Sequence, residues 1–222
     1  MINLHLFSTP GDNDIRYVLD ACRPYLEKRD DPLIAYLPLA SLSDQYLTYT
    51  EKAFKGLARV VSLNAETSTF SEMESVVRQA HVLYVPGGNT FLLAHRLNVS
   101  RWMAYLRKKI LAGLPFVGFS AGAILCGPNI LTSRDMNMIP TAHFEGLNLI
   151  PYNIFVHSQD VVDEDDWLSD FHIFQPNPVI LLADGAGLKV ENKKITLQRG
   201  DGWILRKGNE KEKLLSGQEI RL

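Results

Sequence analysis

Ser120 lies in Gly118-Phe119-Ser120-Ala121-Gly122, directly after the apolar run Leu114-Pro115-Phe116-Val117. A serine hydroxyl is a weak nucleophile at neutral pH, so it needs a turn that exposes it and a base that takes its proton. The G-x-S-x-G pattern supplies the turn. A strand brings the chain to a sheet edge, a strained elbow pushes the hydroxyl outward, and the flanking glycines let two backbone segments pass where a Cβ would clash. Ala121-Gly122-Ala123-Ile124-Leu125 can then open a helix, whose first N–H groups favour a developing negative charge. By itself the pattern also fits a plain glycine-rich strand-to-helix turn.

The partners such a serine needs are found at other strand ends. His157 follows the apolar stretch of 147–156 and can take the serine proton and return it to a leaving amine. Asp184 closes the run Val179–Ala183 and can fix the imidazole tautomer and stabilise the imidazolium. Pro86-Gly87-Gly88-Asn89-Thr90 ends the run His81–Val85, and the N–H groups of Gly88 and Ala121 can form an oxyanion hole. Asn89 reads either as a substrate contact or, with Thr90, as a helix cap. His143 is the chief rival base, and Asp160, Glu164 and Glu191 are rival acids. His5 and His81 read as structural, His95 as a surface residue beside Arg96, and His172 as part of an acidic segment. The run Asp163-Glu164-Asp165-Asp166 reads as a solvated helix N-terminus rather than a metal site, because adjacent carboxylates on a helix do not converge. No spaced His/Cys zinc pattern occurs either, so neither metal nor organic cofactor is expected.

These residues need a scaffold that brings four strand ends together. Apolar runs over 2–8, 33–39, 59–63, 81–85, 115–119 and 179–183 read as strands. Helical spacing marks 12–28 (capped by Asp12-Asn13-Asp14), 43–57, 69–80, 91–97 and 101–112. The alternation predicts an α/β fold with a mostly parallel central sheet and helices on both faces. Sites in such sheets form at the carboxyl ends of strands. Short strands at 187–191, 195–198 and 203–206, with turns at Asn192-Lys193 and Gly200-Asp201-Gly202, predict a β-rich C-terminal part.

At 222 residues, 46% hydrophobic and 22% charged, the chain suits one α/β domain over 1–222 with a well-buried core. The net charge of −2 and the lack of a long basic run argue against nucleic acid as a partner. No stretch has the length of a membrane span, and the first residues read as a strand rather than a signal peptide. Cys22 and Cys126 have no paired spacing, which fits a reducing cytoplasm, and Cys126 reads as a buried structural thiol. The order Ser, His, Asp differs from the Ser, acid, His order of ordinary α/β-hydrolases and argues against an esterase or lipase.

Pro86-Gly87-Gly88-Asn89-Thr90-Phe91, Gly118-Phe119-Ser120-Ala121-Gly122-Ala123 and the stretch Asn129–Met136 together resemble the dipeptidase E family, peptidase S51, whose relatives include the cyanophycinases. The resemblance runs from the first strand to about Trp203. It implies a fold like the class I glutamine amidotransferases, with serine in place of their cysteine. It also implies an activity on short peptides, and it matches Ser120, His157 and Gly88 to nucleophile, base and oxyanion glycine. A homodimer is admitted on the same ground. The chain departs from the family pattern in two places. The family acid is usually Glu, and the matching position here is Asp184-Gly185. The aspartyl dipeptidases bind the N-terminal Asp of substrate through an arginine after the histidine, whereas no Arg or Lys occurs between His157 and Lys189. An uncompensated buried carboxylate is strongly disfavoured, so Asp-X specificity is not expected unless Arg16, Arg96 or Arg134 supplies the cation. A non-catalytic ligand-binding relative and another acyl hydrolase are the alternatives; glutamine amidotransfer fits poorly without a thiolate.

Overall fold

The computed structural model describes residues 2–9, 15–43 and 46–221. β1 (Asn3–Phe7), β2 (Leu33–Tyr36), β3 (Arg59–Ser62), β4 (Val82–Val85) and β5 (Phe116–Phe119) pair in parallel in the order β1-β5-β4-β2-β3. They are near-continuous apolar runs because both of their faces are covered. Leu4, Leu6, Leu83, Val85 and Phe116 point to one side. There they pack on α3 (Phe70–Gln79), α4 (Thr90–Val99), α5 (Trp102–Leu111) and the short α6 (Ala121–Ile124). Phe7, Ile34, Tyr36, Val82, Tyr84 and Val117 point to the other side and pack on α1 (Arg16–Leu26) and α2 (Leu47–Phe54). The expected parallel sheet with helices on both faces is therefore present.

The antiparallel strands β8 (Gly187–Glu191), β9 (Lys194–Arg199) and β12 (Glu219–Arg221) extend this sheet beyond β1 to eight strands. A second sheet, in the order β11-β10-β7-β6, holds β6 (Asn153–Ser158), β7 (Val179–Ala183), β10 (Gly202–Leu205) and β11 (Glu212–Leu214). Ile154, Val156, Ile180, Leu182 and Ile204 of this sheet join the main core. Its other face, with Phe155, Leu181 and Trp203, is covered by Leu168 and Phe171 of α7 (Val162–Phe174). His157 and Asp184 thus come from a separate sheet that packs against the first.

Several boundaries differ from the sequence pattern for local reasons. The strand expected over 33–39 ends at Tyr36 because Pro38 has no N–H to donate, although Leu37 still bonds the Tyr84 carbonyl at 2.9 Å. The helix expected over 43–57 runs from Leu47 to Phe54. The expected cap Asp12-Asn13-Asp14 lies outside the described residues. α3, expected over 69–80, begins at a capping box: Thr69 accepts from the Glu72 N–H at 3.2 Å, and Glu72 accepts from the Thr69 N–H at 2.7 Å. Among the described residues, no helix is long and apolar enough to cross a membrane.

His5, on the α1 face of β1, is 5% exposed, and its Nε2 lies 3.1 Å from the Tyr25 hydroxyl. Burial, with a smaller contribution from Lys189, lowers its pKa from 6.5 to about 4. The folded value is below the unfolded one, so the unfolded chain takes up the proton first. The linked stability is complete above pH 6.5 and is lost as the pH falls toward 4. Wild type is therefore expected to lose about 3 kcal/mol more than His5→Gln between pH 7 and pH 4. Urea unfolding of both proteins at the two pH values checks this, and parallel losses would contradict it.

Candidate active site

The elbow forms at the end of β5. Ser120 has φ 48° and ψ −107°, a conformation that costs a non-glycine residue energy and persists only where its surroundings fix it. The Ser120 N–H donates to the Phe7 carbonyl at 2.9 Å, and the Ser120 carbonyl accepts from Ala123 and Ile124. A Cβ on Gly118 would lie 2.5 Å from the Gly122 oxygen, and one on Gly122 would run into the Val85 carbonyl. Both glycines are thus required by close approach. They let α6 start directly against β4 and β5.

Ser120 Oγ lies 3.0 Å from His157 Nε2, and His157 Nδ1 lies 2.7 Å from Asp184 Oδ1. An ionised carboxylate only accepts, so Nδ1 carries the proton and Nε2 is left as the acceptor for the serine hydroxyl. The shorter side chain of aspartate leaves no gap at this contact. The side chains of His157 and Asp184 are 38% and 61% exposed, so the pair faces solvent at the strand ends. Asp184 sits in a tied turn, with the Gly185 N–H on the Thr9 carbonyl and the Ala183 N–H on the Asp201 carbonyl, both at 3.0 Å.

The loop after β4 lies against the serine: a Cβ on Gly87 would be 3.1 Å from Ser120 Cβ and 3.7 Å from its Oγ. Gly88 has φ 134°, and a Cβ there would collide with the Ala40 carbonyl. Gly88 is exposed, and its N–H has no hydrogen-bond partner among the described residues. Ala121 is the first residue of α6, where an N–H has no intrahelical acceptor. Neither N–H, expected as an oxyanion donor, is thus held by a hydrogen bond among the described residues. Asn89, expected as a substrate contact or a cap, is engaged on both sides by the protein. Its Oδ1 caps α4 by accepting from Leu92 N at 3.0 Å, and its Nδ2 donates to the Met136 carbonyl at 2.9 Å. Asp135 accepts from the N–H and hydroxyl of Thr90, each at 2.7 Å, so the 129–136 segment anchors the glycine loop.

The rivals for the base and the acid are placed elsewhere. His143 is exposed, with its ring 6.3 Å from that of His95. Glu191 pairs with Lys189, and Asp160 pairs with Lys211. Cys126 is buried, and desolvation pushes its thiol pKa up, away from a reactive thiolate. Arg96 is buried on Glu66 and the carbonyls of Leu39 and Ser41. Arg134 donates to the His157 carbonyl at 3.0 Å, with its other terminal nitrogen 3.4 Å from Glu164. No group of three or more His, Cys, Asp or Glu side chains able to hold a metal ion occurs among the described residues.

Ser8 was not singled out in the sequence, and Glu164, named there only as a rival acid, takes a different place. Ser8, fully buried at the end of β1, accepts from the His157 N–H at 2.9 Å and makes a longer 3.5 Å contact to Asp184 Oδ1. Glu164 has a side chain only 1% exposed, although its run was read as solvated. The one advance signal for Ser8 was a hydroxyl at a strand end; Glu164 stood out only as a carboxylate competing with Asp184.

The sequence of this chain matches the model of peptidase family S51 over residues 6–198. It is 31% identical over 172 residues to a protein named peptidase E from Nostoc sp. (strain PCC 7120), covering 74% of this chain and 71% of that protein. Its fold is similar to the crystal structure of a candidate peptidase E protein from Listeria monocytogenes EGD-e. That match has a TM-score of 0.72 and 22% identity and covers 90% of this chain and 99% of that one. It is also similar to a peptidase from an acI-B1 Actinobacterium, with a TM-score of 0.76 and 17% identity, covering 100% and 98% of the two chains.

Proposed function

This chain belongs to peptidase family S51, and on that premise we propose that it is a cytoplasmic serine-type exopeptidase of very short peptides. The observation that carries this reading is the continuous relay from Ser120 Oγ through His157 to Asp184, at 3.0 and 2.7 Å. As His157 Nε2 takes its proton, Ser120 Oγ attacks the scissile carbonyl. The oxyanion forms against the N–H groups of Gly88 and Ala121. His157 then returns the proton to the leaving amine, which departs and leaves an ester on Ser120. A water, deprotonated by His157, attacks that ester, and its collapse frees the acid and restores the hydroxyl. Asp184 holds the imidazole in the required tautomer throughout and balances its transient charge.

The first substrate side chain in this reading is neutral or basic. Arg96 is buried on its own partners, Arg134 is engaged by Glu164 and the His157 carbonyl, and Arg16 also has a partner within the protein, so none of the three supports an N-terminal aspartate. A panel of Asp-X, Asn-X, Lys-X, Arg-X and neutral dipeptides tests this. Cleavage led by neutral or basic members is the expected result. A preference for Asp-X would overturn the specificity, and no cleavage at ample enzyme would overturn the peptidase reading in favour of a ligand-binding protein.

Gly88→Ala tests the oxyanion assignment. The added Cβ must displace the loop from Ala40, carrying the Gly88 N–H out of place. Loss of one such donor typically lowers kcat by roughly 100- to 1,000-fold. Steady-state kinetics should show that fall, with a smaller change in KM. Wild-type kcat in the variant would remove Gly88 from the mechanism.

A further inference from the structure

His157 stands in an irregular stretch of β6. The β6–β7 register shifts between Val156 and Ser158, and His157 and Asp160 have φ of 59° and 57°. A bulge withdraws backbone groups from the ladder, and each must find another partner or be left to solvent. Here side chains from two distant segments, and one from the helix that follows, supply those partners. Ser8 takes the His157 N–H at 2.9 Å, and Arg134 donates to the His157 carbonyl at 3.0 Å. Glu164 takes the Gln159 N–H at 2.8 Å, the Asp160 N–H at 3.1 Å and the Ser158 hydroxyl at 2.8 Å. Its carboxylate also faces Arg134 at 3.4 Å, joining the two ends of the arrangement. A non-glycine residue in the left-handed region persists only when its surroundings over-determine it.

We infer that Glu164 is a positioning residue for His157, acting through this bulge, with Arg134 and Ser8 closing it on either side. The inference rests on the catalytic reading of His157 proposed above. Glu164 touches no reacting atom. It accepts the hydrogen bonds of the three residues after His157, and so fixes the direction in which the imidazole leaves the strand. Both carboxylate oxygens are in use, so the placement depends on acceptor capacity and not on size alone. Glu164→Gln keeps the shape but turns one acceptor into a donor that faces donors, forcing at least one contact to break.

The experiment compares wild type, Glu164→Gln, His157→Ala and the double variant by steady-state kinetics on the best dipeptide. His157 ring NMR and thermal unfolding are recorded alongside. A misplacement of about 1 Å at a reacting group costs on the order of 100-fold in rate. Glu164→Gln should therefore lower kcat by about that factor with little change in KM. It should weaken the downfield signal of the His157 Nδ1 proton on Asp184, and it should add little to the loss already caused by His157→Ala. Unchanged kcat, or a full additional loss in the double variant, would overturn the inference even if the melting temperature fell. Should Glu164→Gln not fold, Arg134→Leu serves the same purpose: a fall in kcat at constant KM supports the account, and unchanged kcat overturns it. If wild type cleaves no acyl donor, the catalytic reading fails. The NMR signal then decides the positioning claim alone, a change in Glu164→Gln supporting it and no change overturning it.

Discussion

Ser120→Ala is expected to lower kcat on the best dipeptide by roughly a million-fold, the loss that follows when a serine nucleophile acting within a triad is removed. The size of the effect comes from the chemistry, because alanine has no atom to form the ester intermediate. The fold should be unaffected. The backbone at 120 already carries a Cβ at φ 48°, and the elbow is held by main-chain bonds to Phe7, Ala123 and Ile124 that alanine keeps. The melting temperature should therefore stay close to that of wild type. A variant retaining a tenth of the activity would show that hydrolysis occurs elsewhere or through another group.

Asp184→Asn should cost about 10,000-fold in kcat, with KM moving by a few-fold at most. Asn is nearly isosteric, and the turn that carries it is pinned by Gly185 to Thr9, so the contact to His157 Nδ1 survives in position. What is lost is the charge that stabilises the imidazolium and the acceptor-only chemistry that fixes its tautomer. An amide nitrogen turned toward Nδ1 donates a hydrogen bond to it, favours the opposite tautomer and removes the base from Ser120. Kinetics across pH, beside a melting curve, checks this. A loss under tenfold would mean that Asp184 orients little and that the exposed His157 works largely on its own.

The parts of the candidate site legible in the sequence were those written as strand ends. Ser120, His157, Asp184 and the Gly87-Gly88 pair each follow an apolar run that ends abruptly, and a largely parallel sheet collects such ends on one side. The division into two sheets was not legible, because an apolar run such as Val179–Ala183 reads the same in either. The bulge at His157 was hidden for a related reason. Val156-His157-Ser158 follows the apolar run of β6 with no glycine or proline to mark a break, and histidine gives no local sign of a positive φ. Glu164 looked like its acidic neighbours, and only the return of the chain over β6 separates it from Asp165 and Asp166. Asn89 shows the opposite case: its cap role was legible from the Asn-Thr pair before a helix, but its grip on Met136 depends on a loop 47 residues away.

The central claim is that Ser120 is a nucleophile activated by His157, and covalent labelling tests it most directly. Wild type, Ser120→Ala and His157→Ala would be treated with a fluorophosphonate and the adduct located by peptide mass spectrometry. The account predicts one phosphonyl group on the peptide containing Ser120 in wild type, no label in Ser120→Ala and labelling slowed by several orders of magnitude in His157→Ala. Wild type left unlabelled, or labelled equally fast without His157, would contradict it.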